Sequence, residues 1–331
     1  MNYLDKFDNK TFLITGATGF IGSLIVKKLC ELRKNDNCNI RIIAFVRNEE
    51  KARKMLGNEV DLLIGDIRDE IKLPSDLDRI DYIIHCASIT ASKTMVDRPE
   101  ETFKVGTEGT LNILRIAKLY KSESVVYLSS MEVYGETKEE DNPITEDKLG
   151  TLNADDPRSS YPLGKRKAER LCMDYNIDHG THVKIARLAQ IVGPGIPLTD
   201  NRISMQFARA VIDNRDIVLH TEGKSINNFC YTDDAIDGIF TILLKGHDGE
   251  AYNVCNDKES RSIYSIAELV SGKIANNNIG VKLDIPDKNI YGYAPNSLMR
   301  LNSDKLKALG WKANIDMETA YRNLIDYLKQ Y

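Results

Sequence analysis

Two tyrosines in this sequence are each followed, four residues further on, by a lysine. Tyr134 precedes Lys138, and Tyr161 precedes Lys165. A tyrosine can take the proton of a hydroxyl group while a hydride leaves the same carbon, but an ordinary pKa of about 10 keeps it protonated at neutral pH. A lysine one helical turn away lowers that pKa by about two to three units. The spacing therefore indicates oxidation or reduction at an oxygen-bearing carbon.

The local sequence distinguishes the two pairs. The first pair lies in a loop after a predicted strand, where no helix aligns the two side chains. The second pair follows two candidate helix-capping serines, Ser159 and Ser160, and opens an amphipathic segment with Pro162 in its first turn. We therefore predict that Tyr161 and Lys165 are the reactive pair.

A serine ends the run SVVYLSS, whose apolar and β-branched residues predict a buried parallel strand. Ligands of open α/β folds bind at the carboxyl ends of the strands. We predict that the hydroxyl of this residue, Ser130, holds the oxygen of a substrate. An ordinary turn serine is the alternative.

The segment TFLITGATGFIGSLIVKKL places glycines between a predicted strand and a predicted helix. Gly16 permits a tight turn, Gly19 lets the backbone approach a pyrophosphate, and Gly22 allows close packing of the helix on the sheet. Phe20 and Ile21 open the helix, whose N-terminal amides favour a phosphate. The segment predicts a dinucleotide-binding turn.

The second predicted strand is followed by Arg47, where NAD-preferring proteins place an acidic residue for the ribose 2′-hydroxyl. An arginine can pair instead with the 2′-phosphate of NADP. We expect NAD or NADP as cofactor, with NADP slightly favoured. Asp66 and Ile67, at the end of the third strand, are predicted to lie near the adenine, and Ala87 follows the fourth strand.

Short β-branched segments alternate with amphipathic ones in the first part of the chain. Residues 11–15, 40–46, 60–65, 81–87 and 124–130 predict strands, while residues 100–120 and the segment from Tyr161 predict two long helices. This alternation indicates an α/β fold with a doubly wound parallel sheet of the Rossmann type. We predict a Rossmann domain over residues 1–188. Residues 189–331 should form mainly a smaller α/β substrate-binding lobe, with some segments returning to the Rossmann sheet.

The composition excludes several classes of protein. The 331 residues include 45 basic and 49 acidic side chains, and a net charge of -4 argues against a nucleic-acid-binding face. No apolar run is long enough for a membrane span and the N-terminus is polar, so we expect a cytoplasmic protein without a membrane partner. The six cysteines and five histidines lack the spacing of metal ligands, so we expect no metal site.

Several short motifs occur in a fixed order: TGATGFIG, GDIRD, HCAS, GTLNIL, LSSMEVYG, YPLGK, IVGPG and LGW. This set resembles the extended short-chain dehydrogenases, the nucleotide-sugar epimerase and dehydratase group, over nearly the whole chain. The resemblance implies that Ser130, Tyr161 and Lys165 form a catalytic triad, and that Lys165 also holds the nicotinamide ribose. It further implies a nucleotide-sugar substrate and a homodimer formed through the two long helices.

Within that group, the segment PRSSYPLGKRKAERLC is most similar to UDP-glucuronate decarboxylases, and three positions depart from their pattern. Gly106 stands in place of an Asn near the cofactor, Gln190 in place of an Asn that faces the substrate, and Asn227 in place of an Arg that holds the substrate phosphates. The resemblance implies that Gln190 and Asn227 line the substrate site. Arg202 or Lys224 would have to replace the missing guanidinium.

The loop after the reactive serine bears on the reaction. In the sugar 4,6-dehydratases that this loop resembles, an Asp and a Glu follow the hydroxyl residue, whereas Met131 and Glu132 stand here. Because a thioether cannot donate a proton, we expect no elimination of water. We expect Glu132 to orient a sugar hydroxyl or to act as a lone base, with a polar loop residue as the alternative.

Together these residues favour a 4-epimerase of a nucleotide-linked sugar that works through a transient 4-keto intermediate. The alternatives are decarboxylation of a nucleotide-linked uronate and an NADPH-dependent reduction of a keto sugar, which would consume cofactor stoichiometrically. A distant alternative, from a different class, is a non-catalytic protein that senses dinucleotides. The intact triad disfavours that last reading.

Overall fold

The computed structural model describes residues 3–35, 38–287 and 297–331. The strands are β1 (Lys10–Thr15), β2 (Ile40–Val46), β3 (Asp61–Ile64), β4 (Tyr82–His85), β5 (Ser124–Ser130), β6 (Val183–Leu188), β7 (Gln190–Val192), β8 (Ile217–Leu219), β9 (Ile226–Tyr231), β10 (Ala251–Val254), β11 (Asn256–Ser262) and β12 (Val281–Leu283).

The helices are α1 (Leu4–Phe7), α2 (Phe20–Asn35), α3 (Glu49–Leu56), α4 (Ser92–Asp97), α5 (Pro99–Tyr120), α6 (Ser160–His179), α7 (Ile203–Ile212), α8 (Thr232–Lys245), α9 (Ile263–Leu269), α10 (Asp304–Ala308) and α11 (Met317–Leu328). Short 3-10 helices span Met131–Tyr134, Glu139–Asp141 and Pro157–Ser159, and a π-helical turn, Val270–Ile274, continues α9.

Seven strands form one sheet in the order β10-β6-β5-β4-β1-β2-β3. β1 pairs in parallel with β2 and β4, β2 pairs in parallel with β3, and β4 with β5. The predicted α/β fold of the Rossmann type is confirmed. Because the strands are parallel, the residues that follow β1 to β5 meet at one edge of the sheet.

The chain folds into two compact units, each discontinuous in sequence. The first contains Met1–Gly135, Thr151–Arg187 and Ile236–Tyr252, and the second contains Glu136–Gly150, Leu188–Ala235 and Asn253–Tyr331. In the first unit, the segment with most of α8 is tied to the sheet by a hydrogen bond from the Ser124 hydroxyl to the Leu243 carbonyl, at 2.7 Å.

Two long helices, α5 and α6, pack side by side in the first unit. A Cβ added to Gly106 would lie 3.7 Å from the Gly164 carbonyl carbon, which shows how closely the two backbones approach. Near the other ends, Lys118 Nζ lies 3.4 Å from His179 Nδ1, so the two helices run in the same direction. α6 ends where Gly180 adopts a left-handed conformation, with φ of 64°.

The second unit contains a three-stranded sheet in the order β11-β9-β7, with β9 antiparallel to β11 and parallel to β7. β8 and β12 form a separate parallel pair. Asp234, in the first turn of α8, accepts the backbone N–H groups of Asn314 at 3.0 Å and Ile315 at 2.9 Å, which anchors the segment before α11. Among the described residues, no helix is both long and apolar enough to cross a bilayer.

Candidate active site

The predicted cofactor-binding residues lie at the carboxyl edge of the first unit's sheet. They are Gly16, Gly19, Phe20, Ile21 and Gly22 in the turn after β1 and the start of α2, Arg47 after β2, Asp66 and Ile67 after β3, and Ala87 after β4.

The glycine turn leaves no room for side chains. Gly16 has φ of 61°, and a Cβ there would lie 2.8 Å from Ala87 N. A Cβ on Gly22 would lie 2.3 Å from Gly16 O, and Gly19 N donates to that same oxygen at 2.8 Å. A backbone packed this tightly presents amides at the start of α2, where the helix dipole favours a phosphate. The turn therefore fits the pyrophosphate of a dinucleotide.

The loop after β3 is held by two residues that the sequence reasoning did not single out. Arg68 donates to both carboxylate oxygens of Asp66, from Nε at 2.9 Å and from Nη2 at 2.7 Å, and this lowers the pKa of Asp66 to about 2. Asn112 on α5 donates to the carbonyls of Ile67 at 3.0 Å and Asp69 at 2.9 Å. Arg68 lies in the motif GDIRD and Asn112 in the motif GTLNIL. These two motifs were the sequence signal that could have identified the two residues.

Tyr161 and Lys165 lie one turn apart at the start of α6. Lys165 is 4% exposed, and its Nζ donates to the Leu128 carbonyl at 2.6 Å. The same nitrogen lies 5.6 Å from the centroid of the Tyr161 ring and 4.7 Å from that of Tyr127. Burial lowers the pKa of Lys165 from its ordinary value of 10.5 to about 8. A cation that is easily deprotonated therefore sits beside the Tyr161 ring.

The start of α6 differs from expectation in one detail. Ser159 is helical, with φ of -66°, and makes no capping bond with its side chain, while the Ser160 hydroxyl donates to the Met95 carbonyl at 3.3 Å. The prediction that one of these serines caps the helix is wrong. A 3-10 turn precedes α6, and the Asp156 side chain caps that turn by accepting the Arg158 N–H at 2.9 Å.

Ser130 ends β5 at the same edge. Its hydroxyl oxygen accepts the Glu132 N–H at 3.2 Å and so caps the 3-10 turn Met131–Tyr134. This bond uses a lone pair of the hydroxyl and not its proton, so the proton can be donated to a ligand.

Glu132 is engaged by a residue that the sequence reasoning missed. Arg158 donates to its two carboxylate oxygens, from Nη1 at 2.9 Å and from Nη2 at 3.4 Å, in a bidentate pair that is about one-third exposed. The neighbouring Met131 is buried. Glu132 is therefore oriented by an arginine, and the Met131 thioether points into the protein.

The alternative tyrosine has a different environment. Tyr134 is fully buried, and its hydroxyl accepts a hydrogen bond from Arg187 Nη1 at 3.0 Å. The Arg187 guanidinium lies 5.0 Å from the centroid of its ring. Lys138 pairs with Glu140, at 3.6 Å. Arg187 rather than Lys138 is the cation beside the Tyr134 hydroxyl.

The predicted substrate residues belong to the second unit. Gln190 is the first residue of β7 and is half-buried. Arg202 immediately precedes α7, and its Nε lies 3.0 Å from each carboxylate oxygen of Asp200. Lys224 pairs with Glu222, at 2.6 Å. Arg202 and Lys224, the two candidates to replace the arginine that is absent at position 227, are thus each paired with a carboxylate.

Asn227 lies on β9, where its Oδ1 accepts the Ser297 hydroxyl at 3.2 Å. Arg261 stands directly opposite Asn227 on β11, so the two side chains share a face of the sheet. Arg261 Nε donates to Glu259 at 2.6 Å. Arg261 is thus a third basic residue to consider, after Arg202 and Lys224, and the strand register is what identifies it. Within the described ranges, no group of three or more His, Cys, Asp or Glu side chains is arranged to hold a metal ion.

Known proteins resemble this chain in sequence and in fold. Residues 12–255 match the model of the NAD dependent epimerase/dehydratase family. The chain is 30% identical over 315 residues to UDP-glucuronic acid decarboxylase 3 of Arabidopsis thaliana, a match that covers 93% of this chain and 86% of that one. A similar match to UDP-glucuronic acid decarboxylase 1 of Xenopus tropicalis has 26% identity over 336 residues and covers 100% and 75% of the two chains.

Among solved structures, the chain resembles UDP-glucose 4-epimerase of Thermotoga maritima with a TM-score of 0.82 and 19% identity, covering 97% of this chain and 99% of that one. That likeness shows the fold alone. The fold and the family match are those of a dinucleotide-binding enzyme of the short-chain dehydrogenase type, in which Ser130, Tyr161 and Lys165 are the predicted catalytic residues. The chain belongs to the NAD-dependent epimerase/dehydratase family.

Proposed function

We propose that this enzyme oxidises a nucleotide-linked uronate at C4 and releases carbon dioxide from the resulting 4-keto sugar. The observation that supports the oxidation is the buried Lys165 beside Tyr161 at the carboxyl edge of the sheet. The observation that supports the carboxylate substrate is the similarity to UDP-glucuronic acid decarboxylases over almost the whole chain. This proposal reverses the order that the sequence favours, which places the 4-epimerase first.

The chain's own residues supply the proton chemistry. Ser130 donates a hydrogen bond to the C4 oxygen, and Tyr161 removes the proton of the C4 hydroxyl. Tyr161 acts as the tyrosinate in this step and becomes neutral on accepting the proton, and the Lys165 ammonium stabilises that tyrosinate by charge. When bound, the nicotinamide supplies the acceptor, and later the donor, of the hydride at C4. The glycine turn and the start of α2 would hold its pyrophosphate.

Carbon dioxide loss follows from the position of the ketone. A C4 ketone lies β to the C6 carboxylate, so the C5–C6 bond can break with its electron pair moving toward the C4 oxygen. Ser130 and the Tyr161 hydroxyl stabilise the enolate oxygen that forms. A proton then adds at C5, and Tyr161 returns its proton to the C4 oxygen as the ketone is reduced to the hydroxyl.

The loop after Ser130 supports this outcome over loss of water. Elimination of the C6 hydroxyl requires a general acid, and the two positions after Ser130 hold a buried thioether, Met131, and a carboxylate, Glu132, that Arg158 keeps paired. Glu132 is then suited to accept a hydrogen bond from a sugar hydroxyl.

The second candidate is 4-epimerisation. The set of Ser130, Tyr161 and Lys165 is sufficient for it, because the keto sugar has only to turn and accept the hydride on its other face. Net reduction of a keto sugar is the third candidate. It would consume the cofactor stoichiometrically, whereas decarboxylation and epimerisation would not.

The deciding experiment uses UDP-glucuronic acid labelled with 13C at C6, a catalytic amount of NAD, and 13C NMR. Decarboxylation moves the label into carbon dioxide and bicarbonate and leaves an unlabelled UDP-pentose. Epimerisation keeps the label and changes only the C4 configuration. A Tyr161→Phe sample serves as the inactive control, and an active parent that forms a 6-deoxy-4-keto product from UDP-glucose would contradict the proposal.

Two further properties belong to this proposal. We infer that the protein forms a homodimer through α5 and α6, because Leu119 and Ile177, near the ends of these helices, are 73% and 71% exposed. We also infer that NADP binds at least as well as NAD, because exposed Arg47 follows β2 and no acidic residue stands there.

A further inference from the structure

A buried cluster of polar side chains lies beside the catalytic residues of the first unit. Glu169 on α6 accepts hydrogen bonds from the Ser129 hydroxyl at 2.5 Å and from Arg187 Nε at 3.0 Å, on the same carboxylate oxygen. Arg187 Nη2 donates to the other oxygen at 2.8 Å, and Arg187 Nη1 donates to the Tyr134 hydroxyl at 3.0 Å. Glu169 and Arg187 are each 5% exposed.

Such a cluster is unusual as a device for stability alone. Glu and Arg are almost never this buried unless they are paired, and a buried ion pair often stabilises a fold no better than apolar side chains of similar size. The presence of this pair is better explained by the positions that it imposes on the elements around it.

Those elements carry the catalytic groups. Ser129 precedes Ser130 on β5, Glu169 follows Lys165 by one turn of α6, and Tyr134 closes the turn that contains Glu132. Because neighbouring residues of a strand point to opposite faces, a bond that holds Ser129 toward α6 also fixes the direction of the Ser130 side chain.

We propose that Glu169 is a positioning residue that, with Arg187, holds the end of β5 against α6 and so keeps the Ser130 hydroxyl in register with Tyr161 and Lys165. The inference rests on the proposed roles of those three residues. The three residues also need a fixed spacing between the end of β5 and the start of α6. None of them sets that spacing by itself.

The Glu169 carboxylate also affects the charge of Lys165. Its charge favours the protonated form of Lys165 and so opposes the desolvation that lowers the pKa of that lysine. The titratable groups that face the Lys165 ammonium are His85 on β4, Cys86 after it, Tyr127 on β5, and Tyr161, Glu169 and Cys172 on α6. Glu169 is the carboxylate in this set.

The first test removes one hydroxyl from the cluster. Ser129→Ala should lower kcat by about tenfold to a hundredfold with little change in KM or in NADH affinity, because misplacement of a catalytic group slows the reaction rather than binding. Ser129→Thr keeps the hydroxyl and should restore most of the rate. An unchanged kcat in Ser129→Ala would contradict the proposal.

The second test needs no substrate. The pKa of Lys165 is followed by NMR in protein labelled with 13C at the lysine Cε, with the signal assigned by Lys165→Met. In Glu169→Gln the pKa of Lys165 should fall below that of the parent, and the alkaline limb of the activity profile should move to lower pH with it. An identical pKa in the two proteins would remove the electrostatic part of the argument.

A control on the same strand separates placement from stability. Lys184 lies on β6, as Arg187 does, and its side chain is equally buried, although its ion-pair partner Asp248, at 2.7 Å, is about one-third exposed. Lys184→Met should lower the melting temperature without shifting the pKa of Lys165 or selectively lowering kcat. If the parent neither decarboxylates nor epimerises UDP-glucuronic acid, the proposed function fails, whereas the Lys165 titration, which needs no substrate, still tests the electrostatic effect of Glu169.

Discussion

At the scale of single residues, the candidate site has one buried cation beside one tyrosine. Lys165 is desolvated, bonded to the Leu128 carbonyl, and close to the Tyr161 ring. Tyr134 shares the same spacing to a lysine in sequence, but its hydroxyl bonds to Arg187. The two tyrosines therefore lead to opposite expectations on substitution.

Tyr161→Phe should lower kcat by at least about a hundredfold, because it removes the group that exchanges the substrate proton. Cofactor affinity should stay nearly intact. Tyr134→Phe should mainly lower stability, by about 1.5 to 3 kcal/mol, since it takes a buried acceptor from a charged donor. Steady-state kinetics and urea unfolding of both variants check this, and equal loss of kcat in the two would refute the choice of Tyr161.

The pKa of Lys165 predicts opposite pH trends for activity and stability. Activity should fall as the pH rises through about 8, because the ammonium is lost. The folded pKa lies below the ordinary 10.5, so the unfolded chain binds more protons between those values, and this residue's contribution makes the protein more stable as the pH rises across that window.

Lys165→Met should therefore abolish activity and yet raise the free energy of unfolding at neutral pH, by roughly 3 kcal/mol at most. Urea unfolding of the parent and the variant at pH values below and within the window measures the difference. A variant that is less stable than the parent at every pH would show that the bond to Leu128 outweighs desolvation.

At the scale of elements, the turn between β1 and α2 and the ends of the neighbouring strands form the predicted nucleotide-binding edge. Parallel pairing places these ends together, and close backbone contacts shape the turn. Substitutions here should change cofactor binding before they change the fold.

Gly16→Ala should weaken NAD(H) binding by at least about tenfold, because its Cβ would meet the Ala87 backbone at 2.8 Å and displace the turn. Gly180→Ala is the matched control. Gly180 has nearly the same φ, 64°, but nothing lies within 4 Å of its added Cβ, so that variant shows only the backbone strain. Calorimetric titration with NADH compares the two, and equal affinities would contradict a tight turn.

Arg47→Ala should weaken NADP(H) binding selectively and leave NAD(H) binding nearly unchanged, because the guanidinium has a 2′-phosphate to contact only in NADP(H). Calorimetry with both cofactors measures this. Arg53→Ala, on the following helix, is a control for general loss of positive charge. A clear preference for NAD that survives Arg47→Ala would remove the argument for a phosphate contact.

At the scale of the whole molecule, the two units divide the roles that the sequence assigns. The first contains the predicted cofactor edge and the predicted catalytic residues, and the second contains Gln190, Arg202 and Asn227. The first unit also exposes apolar side chains near the ends of α5 and α6, the surface of the proposed dimer.

Leu119→Glu combined with Ile177→Glu should convert a dimer into a monomer, since both side chains are more than two-thirds exposed and a charge in a buried interface is unfavourable. Light scattering coupled to size exclusion gives the mass. Met55→Glu, at an exposed apolar position of α3, should leave the mass unchanged. A doubly substituted protein with the parent's mass would place the interface elsewhere.

Much of the first unit could be predicted from sequence because its signals are local. β2 and β5 match the predicted ranges of residues 40–46 and 124–130, since continuous β-branched runs specify buried parallel strands. The glycines of the first turn and the Tyr161 helix start are also local, because each depends on a few neighbouring residues and on the helical repeat.

The tertiary structure alone decided which distant side chains meet. Arg158 lies 26 residues from Glu132 and Arg187 lies 53 from Tyr134, yet each donates to its partner. The register of β9 with β11 brings Arg261 opposite Asn227. No periodicity encodes such pairs, because they form only when strands and helices from separate parts of the chain have packed. The sequence by itself determined the fold class and predicted the reactive residues, whereas packing decided how the charged side chains around them are paired and held.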